Sequence, residues 1–213
     1  MNEQVHGDEK PVVFVIDDDP SVRSALDSLI RSVALDVQCF ATADEFLRAK
    51  RPQASGCVVL DVRLPGRSGL DFQQEMIKSD IPLPIIFITG HGDVPMSVRA
   101  IKAGAIEFLT KPFREQDLLD AIHAGIESDR LRRKSTEITQ KLRNRFDALT
   151  SREREIMRQV VSGRPNKQIA AQLKLSEFTV KVHRSHVMQK MKAKSLAELV
   201  RMADSLAVDT GTA

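Results

Sequence analysis

Val12-Val13-Phe14-Val15-Ile16-Asp17-Asp18-Asp19-Pro20 places an apolar run directly before three carboxylates and a proline. A short run of β-branched and aromatic residues reads as a strand buried on both faces, the pattern of a parallel sheet. Asp19 then supplies a helix N-cap and Pro20 the first helical position, with Val22, Leu26, Leu29, Ile30 and Val33 at helical spacing behind them. The stretch is therefore strand, acidic turn and helix. Similar units recur down the front half. Cys57-Val58-Val59-Leu60 precedes Asp61, Ile85-Ile86-Phe87-Ile88 precedes Thr89, and Ile106 to Thr110 precedes Lys111. Val37 to Phe40 reads as one more strand, Thr42 to Lys50 as a short helix and Ser68 to Ser79 as another. Stripes of Val94, Val98 and Ile101, then of Leu118, Leu119, Ile122 and Ile126, mark two further helices. Five β-α units imply an α/β fold with a doubly wound five-stranded parallel sheet.

In such a sheet the C-terminal strand ends share one edge, where ligands bind. Asp17, Asp18, Asp61, Thr89 and Lys111 thus converge. Carboxylates forced together resist ionisation unless a cation neutralises them, and few protein oxygens with shared phosphate oxygens suit Mg²⁺. Asp18, Asp61 and a backbone carbonyl just after Asp61 are the expected direct ligands, with Asp17 acting through water. Asp61 is the expected nucleophile toward a phosphoryl donor, with Lys111 and Thr89 holding the remaining phosphoryl oxygens. Taken singly, each residue has an ordinary reading: a solvated turn, a loop start, a strand exit. Their matching positions at successive strand ends carry the functional one.

The back half is a different kind of sequence. Residues 1–127 carry a net charge of −7, residues 128–148 of +4 and residues 149–213 of +6, within an overall +3. A basic half points to a polyanion. Residues 128–147 are charge-rich and lack Gly and Pro, yet Ile138, Leu142, Phe146 and Leu149 keep a helical stripe. They read as a solvated helical linker in preference to a short coiled coil. Beyond them, helices begin at Ser151, Asn166 and Ser176, and Leu196, Leu199, Val200 and Ala203 define a fourth. From Asp204 the tail is small and polar and is expected to fray.

Asn166 to Leu173, a short turn, then Ser176 to Met191 has the dimensions of a helix-turn-helix whose second helix enters a major groove of double-stranded DNA. Projection at 100° per residue puts Val180, Val187 and Met191 inward and Val182, Ser185 and Gln189 outward, toward base edges. Lys167, Lys181, Arg184, Lys190 and Lys192 suit phosphates. Thr179 and His183 complete the candidate DNA contacts. His183 and His186 lie three apart with no carboxylate or cysteine nearby in sequence, so a core or phosphate role is expected over a metal site. A basic helical bundle without a DNA role fits the pattern equally well.

Cys39 and Cys57, the two cysteines, read as small buried hydrophobes in a reducing compartment. The polar, acidic start from Met1 to Lys10 lacks the features of a secretory signal, and no apolar stretch nears the length of a membrane span. No membrane association and a cytoplasmic location are the expectations.

The motifs Val15-Ile16-Asp17-Asp18-Asp19, Leu60-Asp61-Val62-Arg63-Leu64-Pro65-Gly66, Ile88-Thr89-Gly90-His91-Gly92 and Lys111-Pro112-Phe113 resemble the receiver domain of two-component response regulators. Leu149-Thr150-Ser151-Arg152-Glu153-Arg154-Glu155 and Thr179-Val180-Lys181-Val182-His183-Arg184 resemble the LuxR-type output domain. The combination is similar to the FixJ subfamily. The resemblance implies a flavodoxin-like receiver over 10–127, a helical linker over 128–147 and a helix-turn-helix domain over 148–206. It implies phosphorylation of Asp61 by a sensor histidine kinase, Mg²⁺ held also by the Arg63 carbonyl, and a cis Lys111-Pro112 bond. Thr89 and Phe108 fall on the family's switch pair. Dimerisation through 94–126 on phosphorylation and contact with RNA polymerase are further implications. Some relatives place lysine where this chain has Ser185, which alters the base contacts expected there. On this reading the chain is a transcriptional regulator, not an enzyme. Two alternatives compete: a phosphate-independent DNA binder whose receiver is a dimerisation scaffold, and a phosphatase. The second rests on Asp17-x-Asp19-x-Ser21, which loosely resembles the nucleophile motif of haloacid-dehalogenase-like enzymes.

Overall fold

The computed structural model describes residues 10–90 and 92–206. The expectations for the extreme N-terminus, for His91 and for the tail beyond Leu206 lie outside the described residues. Two compact units divide between Arg133 and Lys134.

The first unit contains β1 (Val12–Ile16), α1 (Pro20–Ser32), β2 (Asp36–Phe40), α2 (Ala43–Arg48), β3 (Gly56–Asp61), β4 (Arg63–Leu64), β5 (Arg67–Ser68), α3 (Gly69–Lys78), β6 (Ile85–Thr89), α4 (Val94–Lys102) and β7 (Glu107–Thr110). It also contains the first part of α5 (Glu115–Asp147). The main sheet is parallel, in the order β2-β1-β3-β6-β7. The ribbon β4-β5, antiparallel, was not expected from sequence. Helix starts follow the capping chemistry: Asp19 accepts from the Ser21 and Val22 N–H groups, Thr42 from Glu45 and Ser68 from Leu70.

Alternation along β1 sorts the core. Val12, Phe14 and Ile16 pack with Phe46, Phe72, Met76 and Ala100 from α2, α3 and α4. Val13 and Val15 face the other way, onto Leu26, Ile30, Leu118, Ile122 and Ile126 from α1 and α5. Full burial of a Val, Leu, Ile, Phe or Met side chain contributes about 1.5–3 kcal/mol relative to exposure. The expectation of uniformly buried strands is corrected at the edges. β2 and β7, each paired on one side only, are part-exposed, whereas β1, β3 and β6 are buried throughout.

Residues 128–147, expected as a helical linker, are helical and continue α5, which runs unbroken from Glu115 to Asp147. On the first unit's side, Asp129 is fully buried. It accepts from the Gly56 N–H at 3.1 Å, Arg132 Nη2 at 2.5 Å and Arg133 Nε at 2.7 Å. Without Gly or Pro nothing in the sequence stops the helix, and the apolar stripe that continues through Leu142 has a core to join.

In the second unit the remainder of α5 leads to α6 (Ser151–Val161), α7 (Asn166–Leu173), α8 (Glu177–Met191) and α9 (Leu196–Ser205). Leu142 and Leu149 join Ile156, Val160, Ile169, Val180, Val187, Met191, Leu199 and Ala203 in one core, with Phe146 packed against it. A capping box at Thr150 and Glu153 starts α6, and Ser176 caps α8. Asp204 and Ser205, expected to fray, belong to α9.

Candidate functional site

The C-terminal ends of β1 and β3 put Asp17 and Asp61 side by side. One carboxylate oxygen from each of Asp17, Asp18 and Asp61 lies within 4.8 Å of the others. Asp18 is exposed, whereas the Asp17 side chain is 1% and that of Asp61 13% exposed. Lys111 Nζ spans the pair, donating to Asp17 Oδ2 at 2.8 Å and to Asp61 Oδ2 at 3.0 Å. The other oxygens accept backbone N–H bonds, Asp17 Oδ1 from Asp19 and Asp61 Oδ1 from Arg63, both at 2.9 Å.

Burial raises the Asp17 pKa above the usual carboxylate range, Asp61 adds to the rise, and Lys111 and the Asp19 N–H oppose it. Burial works against the charge on Lys111, but its bonds to Asp17 and Asp61 prevail and raise its pKa. The site is thus short of positive charge, with lysine as its sole cationic partner among these residues. A donor set of three carboxylates fits a hard divalent cation.

Thr89 is buried at the end of β6, and its carbonyl accepts from the Lys111 N–H at 2.7 Å. The Lys111-Pro112 bond is cis. Phe108, half-buried on β7, lies beside its register partner Phe87 at a ring-centroid distance of 6.1 Å. Gly92 closes the arrangement: a Cβ there would stand 2.8 Å from Phe108 Cε1 and 3.1 Å from Thr89 Cγ2. The structure thus groups Asp17, Asp18, Asp61, Thr89 and Lys111 at one edge, with Arg63 two residues past Asp61 and Phe108 on the next strand.

In the second unit the inward residues of α8 are those expected, Val180, Val187 and Met191, all buried. Lys181, Val182, Ser185, Lys190 and Lys192 are exposed, as is Lys167 on α7, whereas Thr179, His183 and Arg184 are half-buried. Two of the basic candidates have protein partners. Arg184 Nη1 donates to Asn166 Oδ1 at 3.2 Å and Lys190 Nζ to Glu153 Oε2 at 2.6 Å. No carboxylate lies near His183 and His186 in sequence, but the fold brings Glu153 on α6 to them, its Oε1 3.8 Å from His186 Nδ1. The T-x-x-E spacing at Thr150 was legible as a capping box, but only folding brings α6 to α8.

A family model described as the response regulator receiver domain matches residues 13–123, and one described as bacterial regulatory proteins, luxR family, matches residues 147–203. The chain is a FixJ-like response regulator. It is 52% identical over 199 residues to nodulation protein W of Bradyrhizobium diazoefficiens, covering 93% of this chain and 88% of that one. It is 41% identical to the transcriptional regulatory protein FixJ of the same species, covering 90% and 93%. The solved structure of response regulator StyR superposes with a TM-score of 0.84 at 49% identity, covering 92% of this chain and 99% of that one. A response regulator of this build couples a receiver, whose partner is a histidine kinase, to a LuxR-type DNA-binding domain that regulates transcription. Among the described residues no helix is long and apolar enough to cross a membrane.

Proposed function

We propose that Asp61 is the phospho-acceptor and that phosphate on it switches DNA binding by the output domain. The observation that carries this is Lys111 Nζ held between Asp17 and Asp61 at the sheet edge. A carboxylate oxygen of Asp61 attacks the phosphorus of a kinase phosphohistidine, and the imidazole nitrogen leaves. Asp17, Asp18, Asp61 and the Arg63 carbonyl would hold Mg²⁺, which offsets negative charge on the incoming group. Lys111 then pairs with a phosphoryl oxygen, and the Thr89 hydroxyl, at the adjoining strand end, hydrogen-bonds another. Phe108, wedged between Phe87 and the Gly92 turn, follows Thr89 inward. The exposed apolar residues Val94, Val98 and Ile101 on α4 support dimerisation through 94–126.

Two receivers joined in this way bring two copies of α8 to half-sites about one DNA turn apart. Lys167, Lys181, Arg184, Lys190 and Lys192 meet phosphates; Val182 and Ser185 face base edges; Thr179 and His183 flank them. Contact of the bound dimer with RNA polymerase follows from its role in transcription, in the cytoplasm. The receiver spans 10–127 and the output domain 148–206 on this reading.

The test combines a beryllofluoride phosphate mimic with Mg²⁺, sedimentation, and selection of DNA from a random pool. Dimerisation and tighter DNA binding in wild type, absent in Asp61→Asn, are expected. Equal DNA binding and dimerisation with and without the mimic would sink the proposal and favour the scaffold reading.

A further inference from the structure

Glu153, His183 and His186 each offer a ligand atom, and these atoms lie within 4.8 Å of one another. The three come from two helices, α6 and α8, so the cluster is made by packing and not by a sequence motif. Glu153 is 3% exposed, and its two oxygens have separate tasks. Oε2 accepts from Lys190 Nζ and the Thr150 N–H, at 2.6 and 2.8 Å, which fixes the carboxylate plane. Oε1 faces His186 Nδ1 at 3.8 Å, beyond hydrogen-bond length. His183 adds an anomaly: its Nδ1 is buried and has no hydrogen-bond partner. Buried ring nitrogens are ordinarily satisfied, and this one is not.

We propose that Glu153, His183 and His186 form a site for a borderline divalent transition ion of the Zn²⁺ class. Two imidazoles and one carboxylate, with a fourth position open to water, are a donor set that Zn²⁺ accepts and that hard Mg²⁺ disfavours. Tetrahedral bonds near 2.0 Å place ligand atoms about 3.3 Å apart, so the cluster, whose ligand atoms lie within 4.8 Å of one another, closes by a shift of at most about 1.5 Å on a side. The His186 side chain is 52% exposed and has room to make it. The Thr150 N–H, which holds Oε2 of Glu153, plays the outer-shell part that orients a ligating carboxylate. The Lys190 ammonium competes with the ion for the same carboxylate, but its side chain is 38% exposed and can turn to solvent. Metal bound here clamps α8, the helix assigned to the DNA groove, to α6.

The test uses the untagged full-length chain in excess Mg²⁺, which occupies an oxygen-only site such as the acidic edge of the receiver. Co²⁺ is titrated as a spectroscopic probe, then displaced by Zn²⁺. A stoichiometric Co²⁺ complex with the strong visible absorption of tetrahedral geometry is expected. His186→Asn, with an unchanged far-ultraviolet circular dichroism spectrum, should weaken binding by more than about tenfold. Glu153→Gln should weaken it similarly. Absence of that absorption, or undiminished affinity in His186→Asn, would overturn the assignment.

Discussion

Replacing Asp129 by alanine tests how α5 is anchored to the sheet. The carboxylate is fully buried and accepts from three partners, the Gly56 N–H, Arg132 and Arg133. Alanine leaves the Gly56 N–H without its acceptor at the start of β3, a cost of about 1–3 kcal/mol. The two arginine side chains are 37% and 31% exposed, so water recovers most of their loss, and each adds no more than about 0.5 kcal/mol. The expected total is about 3 kcal/mol. Asp129→Asn keeps an acceptor for Gly56 and should cost about 1 kcal/mol. Because the chain has no Trp or Tyr, intrinsic fluorescence cannot follow the change. Hydrogen exchange read by mass spectrometry can: a loss of 3 kcal/mol speeds exchange at Gly56 by about a hundredfold. Urea unfolding followed by circular dichroism gives an independent value. A loss below about 1 kcal/mol in Asp129→Ala would refute the reasoning, since the N–H would then have found water or another acceptor.

Mg²⁺ at a hundredfold excess over its dissociation constant should stabilise the receiver by about 2.7 kcal/mol at neutral pH, measured as a rise in Tm. The raised Asp17 pKa means that ionising it costs stability as pH rises through its folded-state value, so the Mg²⁺ gain should shrink toward acid, where protons compete for the carboxylate. Glu153 has the opposite sign: burial raises its pKa, but Lys190 and Thr150 prevail and hold it below the ordinary glutamate value. Its contribution is present above the ordinary value and is lost as pH falls through the folded-state pKa, and Glu153→Gln should flatten this part of the pH–stability curve. Gly92→Ala drives a methyl against Phe108 and Thr89 and should cost about 1–3 kcal/mol in receiver stability, read by thermal unfolding. Lys181→Ala should lower the slope of log affinity against log salt by about 1 in a DNA titration, with little change in sequence preference.

The acidic edge was legible because strand periodicity and strand-end chemistry are local. Runs ending at Asp17, Asp61, Thr89 and Lys111 need only the parallel topology to bring their ends together. The helix-turn-helix was legible for the same reason, since Val180, Val187 and Met191 mark one face of one helix. What escaped was made by contacts between distant segments. Glu153 and His186 lie 33 positions apart in sequence and meet only through the packing of α6 on α8. The anchoring of Asp129 escaped for the same reason: Asp129, Arg132 and Arg133 look like solvated charges until Gly56 supplies a buried N–H for Asp129 to meet.

The reach of α5 also decides what can be traded between proteins. A chimera joined at residue 148 would take the four later helices and leave Leu142 and Phe146 behind, uncovering the core that holds Ile156 and Met191. Joined at residue 134, the fragment carries its own lid. The portable cassette is therefore larger than the homologous region that marks it, and a swap that respects this border should remain soluble where the shorter one aggregates.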